Sequence, residues 1–180
     1  MNDVSREYGG ALFELADEEN ISKELLGEIR MIAPFFEHGS EYVRLLTTPN
    51  ISASDRVRCV NDAFGGKVDA YILNFISLMT ERGHAYYIGE SFKEYERRYN
   101  EKNDISVVKV KSAVALSDAQ KEALKENLSK RLKKNVELSY DIDPSLIGGL
   151  SVYADGKLLD GSVSARISEL RRKLTDISIN

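Results

Sequence analysis

The 180-residue chain has no tryptophan, one cysteine, two histidines, three prolines and no uninterrupted apolar run of about 18 residues. With Cys59 alone, an internal disulfide is impossible and no cysteine-based metal cluster can be assembled. The two histidines, His38 and His84, stand in no HExxH or comparable ligand spacing, so no metal is assigned. They also give acid–base catalysis little to converge on, and no cofactor is expected. The opening MNDVSREYGG lacks the basic start and apolar stretch of a secretory signal; with no membrane span, this predicts a cytoplasmic protein without membrane insertion.

What is present is ordinary for a folded chain of one or two domains, with 42% hydrophobic and 30% charged residues. The net charge of -4 is unevenly spread. Residues 1–105 carry 12 Lys/Arg against 19 Asp/Glu, and residues 106–180 carry 13 against 10. An acidic first part lacks the cations that displace counterions from phosphate, and the second part is only mildly basic, so no nucleic-acid partner is expected. The run Lys130, Arg131, Lys133 and Lys134 has no interleaved aromatics and is read as cations at the negative end of a helix.

Helical spacing dominates the first hundred residues. Val4, Tyr8, Ala11, Leu12 and Leu15 form one stripe, and Leu25, Leu26, Ile29, Ile32, Ala33 and Phe36 a second, with Pro34 marking a kink or early stop. A short segment from Glu41 to Leu46 ends at Thr47-Thr48-Pro49-Asn50, after which Ser52 and Ser54 are candidate caps for a helix to about Phe64. Gly65-Gly66 stops it. A fifth helix starts near Asp69 with Ile72, Phe75, Ile76 and Met79, and a sixth carries Ile88, Phe92, Tyr95 and Tyr99. Six helices with short connections predict a bundle.

From about Asp104 the period becomes two, with Val108, Val110, Ser112 and Val114 on one side of a strand and Lys109 and Lys111 on the other. Ser117 and Gln120 form a capping-box pattern before a helix striped by Leu124, Leu128 and Leu132. Val136, Leu138, Tyr140 and Ile142 alternate as a second strand, Leu150 to Ala154 forms a third, and Asp155-Gly156 turns into Lys157 to Leu159. A last helix carries Val163, Ile167, Leu170 and Leu174. The fold class is therefore α+β: a six-helix bundle over 1–105 followed by a small α+β domain over 106–180.

Two patterns resemble chemistry. Asp141-x-Asp143-x-Ser145 begins like a calcium loop, but the glycine and closing glutamate are absent and a strand-and-turn reading fits better. Gly148-Gly149 lacks the Gly-Lys-Ser/Thr of a phosphate loop, so close packing or a bulge is favoured.

In order and spacing, the segments resemble the delta subunit of bacterial F-type ATP synthases, which is similar to the mitochondrial oligomycin-sensitivity-conferring protein. Tyr8-Gly9-Gly10-Ala11-Leu12-Phe13-Glu14-Leu15-Ala16 resembles the family's Tyr-Ala-x-Ala-Leu-Phe-x-Leu-Ala. Leu45-Leu46 to Pro49, Asn74-Phe75-Ile76-Ser77-Leu78-Met79 and Glu81-Arg82-Gly83 follow. Asp143-Pro144-Ser145-Leu146-Ile147-Gly148-Gly149 and Asp160-Gly161-Ser162-Val163 are the most specific pieces. Gly9 and Gly10 depart from the family pattern and weaken the first helix by roughly 1 kcal/mol each relative to alanine. His84 stands where the family commonly has arginine.

The resemblance implies a non-catalytic stator subunit, monomeric when isolated, at the cytoplasmic face of the cell membrane. It links the catalytic head to the peripheral stalk, and so serves the coupling of proton or sodium flow to ATP synthesis. The helical domain would grip the amino-terminal helix of an alpha subunit between its first and fifth helices, through Tyr8, Gly10, Ala11, Leu12 and Leu15 and through Asn74, Phe75 and Leu78. On this expectation the glycines open the groove to a partner backbone. The second domain would contact the b subunits. The alternatives are an enzyme using Gly148-Gly149 near Asp143 and Asp160, and a helical-groove adaptor of another assembly.

Overall fold

The computed structural model describes residues 2–154, 157–161, 163 and 165. The chain divides into two compact units, Met1–Tyr99 and Asn100–Asn180. The first contains helices α1 (Asp3–Glu18), α2 (Ser22–Ile32), α3 (Glu41–Thr47), α4 (Ala53–Phe64) and α5 (Ala70–Glu81), and most of α6 (Ile88–Lys102).

Local chemistry sets these boundaries. Ser40, Ser52 and Asp69 each accept a backbone N–H with their side chains at the starts of α3, α4 and α5. Of the two serines expected to cap α4, Ser52 does so, while Ser54 lies one residue inside and pairs with its hydroxyl at 2.9 Å. Pro34 ends α2 at Ile32 and directs the chain into a 3-10 turn over Ala33–Phe36. Helices α1 and α5 end alike. Asn20 (φ 59) and Gly83 (φ 74) turn left-handed, Ile21 N–H returns to Ala16 O at 2.9 Å, and His84 N–H returns to Met79 O at 2.7 Å.

The helices share one apolar core in which Phe36 packs its ring against Tyr42, Phe64 and Phe92 at centroid distances of 5.6–5.7 Å. Tyr95 is fully buried, and its hydroxyl donates to Ser22 O at 2.9 Å. The apolar stripe expected for α1 is divided. Leu12 is buried with Ser5, Gly9, Gly10, Phe13 and Ala16, whereas Ala11 and Leu15 face outward.

The second unit is a four-stranded mixed sheet in the order β2-β1-β3-β4, making the chain α+β. Strand β1 (Ile105–Ser112) pairs in parallel with β2 (Asn135–Ile142) and antiparallel with β3 (Leu150–Ala154), which pairs antiparallel with β4 (Lys157–Asp160). The parallel pair is joined through α7 (Asp118–Leu132), opened by a complete capping box between Ser117 and Gln120. Ser106, Val108, Val110 and Ser112 alternate inward with Lys109 and Lys111 outward. Val114 lies beyond the strand's end and is 70% exposed, so it does not extend the buried face. The Asp155-Gly156 turn and the last helix through Ile167, Leu170 and Leu174 lie outside the described residues.

Candidate functional site, a groove between α1 and α5

Two helices leave an apolar cleft between them. Tyr8, Ala11, Leu12 and Leu15 of α1 face Tyr71, Asn74, Phe75 and Leu78 of α5. Spacings of three and four residues place each set on one helix face. Leu12 and Phe75, 3% and 7% exposed, form the floor. Leu15 and Leu78, 48% and 39% exposed, stand on the rims with Tyr71. Arg82 donates to the Tyr8 hydroxyl at 3.2 Å, and the Tyr8 ring lies 6.1 Å from that of His84. One end of the groove is thus polar while its middle is aliphatic. The lining contains neither carboxylate nor cation, so the groove is suited to recognition rather than bond chemistry.

Seven of the eight residues singled out in the sequence line this groove, and Gly10 does not. It faces α6, where a Cβ on Gly10 would lie 2.4 Å from a guanidinium nitrogen of Arg98 and one on Gly9 would lie 2.3 Å from Ser91 O. The glycines therefore permit close approach of α1 to α6 and do not open the groove. Tyr71 was missed, although its spacing from Asn74, Phe75 and Leu78 marks the same face.

The α1–α6 seam carries a charged cluster. Glu94 has no exposed surface, and its carboxylate accepts two hydrogen bonds from Arg97, both 2.7 Å, and one from Arg98 at 3.0 Å. Arg98 also donates to Glu14 of α1 at 2.7 Å. The Arg97 hydrogen bonds, aided by Arg98, hold the Glu94 carboxyl below the usual carboxylate range against its own burial. Glu94 and then Glu14 raise the Arg98 guanidinium further.

The histidines sit at two edges of the same unit. His38 follows the 3-10 turn, bonds Glu90 at 3.1 Å and sets its ring against that of Tyr86 at a centroid distance of 4.6 Å and a tilt of 39°. That bond, with donors from Asn2 and Ser5, lowers the Glu90 carboxyl. His84 lies beyond α5, and no group of three or more potential metal ligands occurs among the described residues. In the second unit Asp143 caps a turn, accepting from both the N–H and the hydroxyl of Ser145, while Gly149 adopts φ 82 before β3. These roles are structural.

Residues 4–174 match the model of the ATP synthase delta (OSCP) subunit family. A delta subunit of ATP synthase from Clostridium botulinum (strain Loch Maree / Type A3) is 31% identical over 171 residues, 95% of this chain and 96% of that protein. One from Clostridium perfringens (strain SM101 / Type A) is 31% identical over 169 residues, 94% of each. In fold, the chain is similar to one in the Toxoplasma gondii mitochondrial ATP synthase hexamer, with a TM-score of 0.73, 17% identity and coverage of 97% and 98%.

Proposed function

The chain belongs to the ATP synthase delta (OSCP) subunit family, and on that premise we propose that its α1–α5 groove receives the amino-terminal helix of an alpha subunit. Membership makes the chain a non-catalytic subunit of F-type ATP synthase, a component of the stator and peripheral stalk. Among the described residues, no helix is long and apolar enough to cross a membrane.

The observation that carries the proposal is the groove itself, with two buried floor residues and three partly exposed hydrophobic residues on its rims. An amphipathic helix covers such a surface by laying its own apolar stripe along it. In this reading the first part of the chain is a six-helix bundle seated on the catalytic head, and the α+β part contacts the b subunits. The protein works at the cytoplasmic face of the cell membrane, held there by its partners. Two grips on one stator act through effective concentration, so neither must be strong for the pair to resist the torque of the rotor and keep ion flow coupled to ATP synthesis.

The test is calorimetric titration of the full chain with a synthetic peptide of the alpha subunit's amino-terminal segment from the same complex. Saturable one-to-one binding is expected. Leu78→Asp, which sets a charge on the rim, should weaken it by at least ~10-fold with the fold intact. No binding to the folded chain would overturn the groove assignment.

A further inference from the structure

The α1–α6 seam and the groove are two faces of the same two turns of one helix. Gly10 and Glu14 are four residues apart and turn toward Arg98, while Ala11 and Leu15, one position on and four apart, line the groove. One residue is a rotation of about 100° around an α-helix. Whatever fixes the first pair therefore fixes the second.

We propose that Arg98 is a positioning residue for the groove. Passing through the space left by the missing side chain of Gly10, it clamps α1 to the buried Glu94 and so sets the rotation at which Ala11 and Leu15 are presented. The proposal rests on the groove being the docking site.

Three observations support it. The guanidinium occupies the place where a Cβ of residue 10 would be, so α1 and α6 cannot hold this spacing with a larger residue there unless Arg98 moves. Its Nε is tied to Glu94 at 3.0 Å and its Nη1 to Glu14 at 2.7 Å, a fork joining two helices across 84 residues of sequence. Arg97 donates to both oxygens of Glu94, sharing Oε1 with Arg98, so the anchoring carboxylate is itself fixed. A planar guanidinium defines direction as well as distance, which a lysine ammonium at the same place does not. By contrast, the bond across the groove side of α1, from Arg82 to the Tyr8 hydroxyl, lies at its polar end and not beside Ala11 and Leu15.

The test is binding of the alpha-subunit peptide to the full chain carrying Arg98→Gln, Arg98→Lys, Leu15→Ala or both Arg98→Gln and Leu15→Ala. Circular dichroism checks the fold of each. Arg98→Gln should weaken binding by ~10-fold, mainly through faster dissociation, with Arg98→Lys in between. Leu15→Ala should weaken binding by ~10-fold in the natural chain but only ~2-fold beside Arg98→Gln, because a misplaced rim has less to lose. A merely structural arginine would leave the two effects multiplicative. Glu14→Gln cuts only the outer, exposed arm of the clamp and should shift affinity in the same direction by a few fold even if Arg98→Gln does not fold.

Unchanged affinity in folded Arg98→Gln, or strict multiplicativity, overturns the positioning role while leaving the groove assignment standing. Failure of the unmodified chain to bind the peptide removes both.

Discussion

Helix α1 is packed in opposite ways along its two sides. Toward α6 it presents glycine, serine and a glutamate, and the neighbouring helix comes so close that a single Cβ at Gly9 would meet a backbone oxygen at 2.3 Å. Toward α5 it presents tyrosine and leucine, yet the helices leave a cleft. Small residues closed one seam with polar interactions, and large apolar residues left the other open. Side-chain hydrophobicity alone therefore does not tell which side of a helix is core. A tight seam requires space, and an apolar side without a filling neighbour is a surface in waiting.

The largest expected effect comes from breaking the closed side. Gly9→Leu cannot be accommodated without moving backbone, and it should lower the stability of the helical unit by roughly 3 kcal/mol, on the order of 10 °C in Tm by thermal denaturation. Next is the contrast between neighbouring leucines. Leu12→Ala, at a buried floor position, should cost about 2–4 kcal/mol in denaturant unfolding, whereas Leu15→Ala on the half-exposed rim should stay within about 0.5 kcal/mol. Equal losses would mean that the groove is filled in the free chain.

Acid sharpens the comparison further. The folded-state pKa of Glu94 is depressed below its ordinary 4.5, so its stabilisation is complete above that value and is lost as pH falls through the folded pKa. Melting temperatures followed from pH 6 downward should therefore fall in the natural chain. They should fall less steeply in Glu94→Gln, which starts lower at neutral pH and retains only the slope from Glu90 and the remaining carboxylates. The smallest effect concerns the rim alone. Tyr71→Ala should leave the unfolding midpoint unchanged and weaken peptide binding by about 5-fold, a loss of ~1 kcal/mol read by calorimetry.

Much of this architecture is written locally and can be read so. The period of two at Val108, Val110 and Ser112, the caps at Ser52 and Ser117, the helix start near Asp69 and the stop at Pro34 each depend on neighbours a few residues away. On α5 helical spacing alone marks the buried face of Ile72, Phe75, Ile76 and Met79, and it is the family resemblance that points to Asn74, Phe75 and Leu78 on the groove. Tyr71 shares the spacing of that second set one turn earlier and required only that the set be extended. The role of the glycines was not legible, because what fills the space beside Gly10 is an arginine 88 positions later. Nor does any pattern in sequence tell that Glu94, amid charged residues on a polar-looking helix, is the fully buried one. The Val114 error has a simpler cause: alternation persists by chance past Ser112, where Asp143 N–H bonds to Ser112 O and the sheet ends.

The mixed sheet has a consequence for biosynthesis. Strand β1 lies between a parallel partner that follows α7 and an antiparallel partner that ends at Ala154. During translation it therefore leaves the ribosome roughly 40 residues before its last partner exists, a wait of about 2–8 s at about 5–20 residues per second. Until then at least one edge of a valine-rich strand lacks its partner, while the helical unit ahead of it already has its sequence in full. Lys109, between Val108 and Val110, and Lys111, after Val110, are outward in the finished sheet, and charges so placed in a waiting strand oppose the addition of one nascent chain to another.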